Sequence, residues 1–279
     1  MKAIQATLLL CLSICSLNAV AIVPARYLGE PKSVDNFTIA SLNKMISAGG
    51  ASLSERVERY VQRALAYTRI LHFDEALRDL NQALRLDPAH VKAHYFRAIV
   101  YARMEQSALA QADFEKALRL NPGFLPAILQ RGYLYFLNGH YESAQKEFTS
   151  YLKQKPGDLY RVIWIYLCEK YLSRNDTVIR LYTQNQDLNA WPGAIVKLYL
   201  GDVDLKDVVD ALRQSLKTWS AENRCEAYFY LGQYHYLRGE YQQALAYFQQ
   251  AVKTRQHELI EYEFSLVYVD NMTRKPSPN

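Results

Sequence analysis

Along the middle of this chain, small and aromatic positions return at a constant interval within helical patterns of polar residues. Pro88, Pro122 and Pro156 stand thirty-four residues apart. With each proline numbered 32 in its unit, the units open at Val57, Val91 and Leu125 and their residues align. Position 8 is Ala64, Ala98 and Gly132; position 11 is Tyr67, Tyr101 and Tyr135; position 20 is Ala76, Ala110 and Ala144; position 24 is Leu80, Phe114 and Phe148. Apolar residues three and four apart in each half predict two helices per unit. A hydrogen or methyl side chain at positions 8 and 20 lets those helices cross closely. Rings and aliphatic chains at positions 11 and 24 fill the space towards the next unit, and the proline ends the second helix. One such pair cannot bury its own apolar face, so the pairs must stack into a continuous core.

The period, the small residues and the closing proline together resemble the tetratricopeptide repeat. The resemblance implies an all-α helical-repeat solenoid that curves around a concave inner surface. Three regular units occupy 57–156. The register returns in a fourth unit at 225–257, with Tyr228 at position 4, Gly232 at 8, Ala244 at 20, Phe248 at 24 and Ala251 at 27. Between them, at 157–224, the period decays. A helical pattern over 160–172 carries Ile163, Trp164, Tyr166 and Leu167, a short weak helix follows at 176–184, and Trp191-Pro192-Gly193 marks a turn. A further pair of helices is expected at 194–200 and 205–216. A closing helix over 258–269, in a capping segment 258–272, is expected to cover the last unit, and 273–279 reads as a frayed tail.

Ahead of the repeats, the extension 22–56 holds one amphipathic helix, with Phe37, Ile39, Leu42, Met45 and Ile46 at helical spacing and Gly49-Gly50 to end it. Ser52 or Ser54 then opens the first repeat helix, with Glu55 in its first turn. Having no partner helix of its own, the amphipathic helix must bury its stripe on the end of the solenoid or on a second protomer, and a homodimer is expected.

The ends and the composition narrow the compartment. Lys2, the apolar stretch 8–17 and Ala19-Val20-Ala21 read as an export signal over 1–21 with Ile22 as the new N-terminus, which places the mature protein in the periplasm. The competing reading is lipoprotein processing at Cys15, which would anchor the chain to the envelope membrane. No other segment is a membrane-span candidate. The four cysteines include Cys11 and Cys15 in the signal, and Cys168 and Cys225 read as buried thiols. Half of the residues are hydrophobic and 22% are charged, the proportions of a globular chain. The net charge of +5 is interleaved with acids, as in Glu55-Arg56-Val57-Glu58-Arg59, so no basic stripe marks nucleic-acid binding. Twenty-two tyrosines exceed what repeat packing alone absorbs.

Chemistry is sparse. The chain has no P-loop, nucleophile elbow, zinc-protease helix or Cys-x-x-Cys pair. His90 and His94 have metal-like spacing, but the register puts His94 at a packing position, so no metal, cofactor or catalytic residue is expected. What remains is the inner surface, where positions 2, 5, 9 and 12 of each first helix form one stripe. Tyr95, Ile99, Leu129, Tyr133, Phe136, Phe229 and Tyr236 fall on it and predict an aromatic groove for a partner's extended or helical segment. Tetratricopeptide proteins that grip a C-terminal carboxylate carry Lys and Asn on this stripe, whereas here Val61 and Leu65 stand there.

The order of parts is similar to that of the bacterial NlpI-type lipoproteins. The likeness rests on Arg78-Asp79-Leu80-Asn81-Gln82-Ala83-Leu84 with Asp87-Pro88, on Arg131-Gly132, and on Trp164-Ile165-Tyr166-Leu167. It continues through Leu198-Tyr199-Leu200-Gly201 and 228–236. It implies a homodimeric, non-enzymatic adaptor tied to cell division, which brings a periplasmic tail-specific protease to a peptidoglycan endopeptidase and so limits wall cleavage. A structural component of a secretion or pilus assembly machine is the alternative reading of the same repeats.

Overall fold

The computed structural model describes residues 34–175, 177–215 and 219–274; the expected signal and Cys15 lie outside them. The described residues form fourteen helices and no strand. In chain order these are α1 (Val34–Ser47), α2 (Leu53–Arg69), α3 (Phe73–Leu86), α4 (Val91–Arg103), α5 (Ser107–Leu120), α6 (Leu125–Leu137) and α7 (Tyr141–Gln154). There follow α8 (Leu159–Tyr171), α9 (Thr177–Thr183), α10 (Gly193–Leu200), α11 (Leu205–Ser215), α12 (Ala221–Leu237), α13 (Tyr241–Lys253) and α14 (Ile260–Arg274). Ser52 starts α2 with a reciprocal capping box, its hydroxyl accepting from the Glu55 amide while the Glu55 carboxylate accepts from the Ser52 amide. His90, Asp158 and Ser220 cap α4, α8 and α12 with the side chain alone, each accepting from an amide three residues on.

The pairs α2/α3, α4/α5, α6/α7 and α12/α13 are the repeat units. Ala64, Ala76, Ala98, Ala110, Ala144 and Ala244 have no exposed surface. A Cβ built on Gly132 would stand 2.8 Å from the Phe148 ring, and one on Gly232 would stand 2.6 Å from the Phe248 ring. In these two units the glycine at position 8 is therefore dictated by the ring at position 24. Tyr67, Tyr101 and Tyr135 are half-buried and flank these crossings.

A second link joins the two helices of each regular unit. Position 7 is arginine and position 23 is acidic in all three, and they meet as ion pairs: Arg63 with Asp79 at 2.6 and 2.7 Å, Arg97 with Asp113 at 2.6 and 2.8 Å, and Arg131 with Glu147 at 2.7 Å. The first two are bidentate and largely screened from water, the geometry in which an arginine–carboxylate pair is strongest. Arg63 also donates to Asn43 of α1, and Arg97 to Asn81 of the preceding unit, so the same side chains tie units in series. Burial alone would raise the Asp113 carboxyl, yet Arg97 and His94 hold it below the ordinary carboxylate range. In the last unit Leu231 and Tyr247 take these two positions, and Tyr247 stacks on His235 instead.

The end helices differ from expectation. The stripe of α1 divides: Ile39 and Leu42 are buried, Ile39 against Ala66 and Ile70 of the first unit, whereas Phe37 and Met45 remain exposed at 72% and 42%. In 157–224 the helices begin or end within a few residues of the expected positions. Their packing relies on stacked tyrosines in place of small crossings: Tyr166 lies on Tyr199 at 4.6 Å and Tyr199 is stacked with Tyr234 at 6.4 Å. Gly193 is required because a Cβ there would come within 2.3 Å of the Leu188 carbonyl oxygen. The closing helix runs on to Arg274, so Thr273 and Arg274, expected in a frayed tail, are helical. The change Gly232→Ala should cost about 1–3 kcal/mol through overpacking against Phe248, read as a lowered melting midpoint. Arg97→Ala should cost about 3 kcal/mol or more by leaving Asp113 buried with one partner fewer, while Arg78→Ala on the exposed face changes little.

Candidate functional site: the inner channel and its occupant

The first helices of the pairs, α4, α6, α8 and α12, line the inner side of the stack, and α14 lies along it. Phe264 is the centre of that contact. Its ring packs within 5.1 Å of Trp164, 5.8 Å of Phe136, 6.2 Å of Tyr133 and 6.4 Å of Phe229. Further along, Tyr268 stacks on Phe248 at 4.6 Å, meets Tyr236 at 5.2 Å and shares a 2.7 Å hydrogen bond with the Tyr171 hydroxyl. At the other end Glu263 faces Arg103 of α4 at 3.9 Å.

This placement corrects the expected open groove. Tyr95, Ile99, Tyr133, Phe136 and Phe229 are at most 3% exposed, and Leu129 and Tyr236 are half-buried. Tyr95 and Ile99 are enclosed by repeat packing, with Phe114 and Phe124 around the tyrosine. Tyr133, Phe136, Phe229 and Tyr236 do face the channel, but α14 covers them. Nothing in a helical period reports that a segment far along the chain will fold back, so a stripe with the right spacing reads as free when its cover is distant.

The channel wall is unusually rich in buried ionisable groups. Arg161 sits among the rings of Tyr133, Tyr151 and Tyr160 at 5.8–5.9 Å, a desolvated cation against three π faces. Glu226 accepts hydrogen bonds from the Tyr160 hydroxyl at 2.8 Å and the Trp191 indole at 2.5 Å. Glu261 of α14 accepts one from the Tyr230 hydroxyl at 2.7 Å. Burial first, and the neighbouring Glu261 second, push the Glu226 carboxyl up to about 7, and burial likewise raises Glu261. These residues were not legible as a group because they come from 160, 191, 226, 230 and 261, and only the fold brings them together.

The remaining candidates have structural placements. His90 caps α4 through its Nδ1, and the His94 ring lies 3.0 Å from Asp113 and 3.1 Å from the Pro88 carbonyl. No group of three or more metal-ligating side chains occurs among the described residues. Cys168 and Cys225 are buried, and burial pushes both thiols up, Cys225 to about 12. No helix among the described residues is long and apolar enough to cross a membrane.

Comparison with known families matches residues 57–90, 91–124 and 225–256 to the tetratricopeptide repeat. The chain carries tetratricopeptide repeats. The matched stretches coincide with the pairs α2/α3, α4/α5 and α12/α13. Among solved structures, the chain is similar to a tetratricopeptide repeat protein from Parabacteroides merdae, with 18% identity, a TM-score of 0.54, and 84% of this chain and 91% of that one covered. It is also similar to the C-terminal part of a repeat-containing protein from Cytophaga hutchinsonii, with 13% identity, a TM-score of 0.52, and coverage of 84% and 95%. PilF of Pseudomonas aeruginosa matches at 18% identity and a TM-score of 0.46, with 81% and 100% covered. At these identities the likeness is one of fold, and the fold is that of a protein-binding scaffold.

A carboxyl whose folded value lies above its unfolded one stabilises the fold below the unfolded value, and that contribution is lost as pH rises through the folded value. For Glu226 the window runs from about 4.5 to about 7. Thermal melts of the wild type should therefore fall across this range more steeply than those of Glu226→Gln, which keeps both hydrogen bonds without the charge. Parallel curves for the two would refute the assignment.

Proposed function

We propose that this protein is a non-enzymatic adaptor of the bacterial envelope. It binds a periplasmic tail-specific protease and a peptidoglycan endopeptidase, and by bringing them together it limits wall cleavage and bears on cell division. The observation that carries the reading is the likeness to the NlpI type in the part of the chain where repeat periodicity is weakest, at Trp164-Ile165-Tyr166-Leu167, Leu198-Tyr199-Leu200-Gly201 and 228–236. Generic repeat packing does not demand those residues. The repeat fold supports it by supplying a scaffold that presents several helices to a partner at once.

Two parts of the reading concern placement and assembly. The N-terminal pattern supports export, with the chain either released at Ile22 or anchored through a lipidated Cys15. The exposed Phe37 and Met45 on α1 support a homodimer in which a second protomer covers them.

Purified protease and endopeptidase should each bind the immobilised protein, and the two should be recovered in one complex only in its presence. Failure of both to bind, with pilus or secretion subunits retained from envelope extract instead, would favour an assembly component. Intact mass of the protein from envelope fractions decides processing, since an acylated Cys15 and a free Ile22 differ by the whole signal and the lipid. Light scattering of the full chain should give a dimer, and Phe37→Asp with Met45→Asp should give a monomer.

A further inference from the structure

The helix α14 is the element that fills the inner channel. Its contact with the channel is built in a way that a permanent core helix would not need. Glu261 and Glu263 are at most 3% exposed, and each is placed against ionisable groups on the wall: Glu261 beside Tyr230, with Glu226 and Arg161 within electrostatic reach, and Glu263 opposite Arg103. Withdrawing such charges from water costs several kcal/mol per ion before pairing returns some of it, so apolar side chains of similar size would hold the helix more firmly. Glu226 and Glu261 also repel each other when both are ionised. The turn that leads into the helix holds Arg255 in a left-handed backbone at φ 56°, and the crossings of the three regular units are made between their own helices. Elements of one fold open at different free energies, and its buried charges set this helix below the units it covers.

We infer that the inner channel is a helix-binding groove that α14 occupies in cis, and that a partner's amphipathic helix carrying the same acid-x-acid-aromatic face, as in Glu261-Tyr262-Glu263-Phe264, displaces it. The groove specifies that occupant by its chemistry. Trp164, Phe136 and Phe229 form the seat for one aromatic ring, and Arg103 and Arg161 supply positive charge near the two acids. A helix with basic residues in those places would put a cation beside Arg103 in a desolvated wall, so the groove discriminates by charge as well as by shape. The inference rests on the scaffold reading and adds to it the surface, the kind of segment and the competition that limits access.

The test uses a fluorescent peptide of residues 258–274 titrated into the full-length chain. A protein whose groove is mostly closed binds with an apparent affinity reduced by the open fraction. The chain carrying Phe264→Ala, whose own helix has lost its anchor, should therefore bind the peptide at least about tenfold more tightly than the wild type. Glu261→Gln in the chain removes the buried charge, keeps an acceptor for Tyr230, and should bind the peptide more weakly than the wild type. A peptide with Glu261 and Glu263 both replaced by lysine should bind none of them. Equal weak or absent binding by wild type and a folded Phe264→Ala chain would overturn the inference. If that variant does not fold, hydrogen exchange on the wild type decides: residues 260–274 should exchange well before 91–154, and exchange only on global unfolding would overturn it. Peptide binding that merely dissociates a dimer, followed by light scattering, would assign the groove to α14 of a second copy and overturn the partner claim. None of these outcomes touches capture of the protease and endopeptidase, whose failure alone would bear on the adaptor reading.

Discussion

The ring of Phe264 among Trp164, Phe136, Tyr133 and Phe229 is the contact that closes the inner channel of this molecule. A stack of helix pairs has in principle no reason to close, because each pair contacts only its neighbours and the inner side is left to solvent or to a ligand. Here one aromatic side chain from the C-terminal helix reaches first helices of three different pairs. A single hydrophobic cluster of the described residues runs from Val57 to Phe264. Burying a side chain of this size stabilises by about 1.5–3 kcal/mol, a sizeable share of a domain's net stability.

Within the regular units the design is local and repeated. A glycine or alanine at position 8 admits the large apolar side chain at position 24, and the arginine at position 7 holds the acid at position 23 across the same pair of helices. The two devices lie side by side, so close approach and charge pairing support each other. The last unit keeps the first device and loses the second, with His235 stacked on Tyr247 where the ion pair would stand. That unit is also the one on which α14 packs directly, through Tyr268 on Phe248, so tertiary contact takes over part of what the ion pair does elsewhere.

The channel wall reverses the usual economy of a core. Arg103, Arg161, Glu226, Glu261 and Glu263 are enclosed or nearly so, in an interior otherwise filled by aromatic rings. Such groups add little net stability compared with apolar replacements, but they restrict which segment fits and make the fit respond to protonation. These groups lie where a repeat scaffold presents its inner face.

The sequence by itself determined the repeat. The thirty-four-residue spacing of Pro88, Pro122 and Pro156, the alanines and glycines at the crossings and the return of the register at Cys225 are local chemistry, because each follows from what two adjacent helices need in order to touch. The period-matched Arg63, Arg97 and Arg131 with Asp79, Asp113 and Glu147 were equally present as a pattern, and their meaning became visible only when the crossing was seen. Tertiary structure alone decided the state of the inner stripe. Tyr133, Phe136 and Phe229 carry the same spacing whether they face solvent, a partner or the chain's own C-terminal helix. The choice among these depends on how the degenerate segment 157–224 turns the stack and delivers α14 into the channel. It is a property of a long-range path, set by tyrosine stacks such as Tyr166 on Tyr199 and by the tight turn at Gly193, and no periodicity records it.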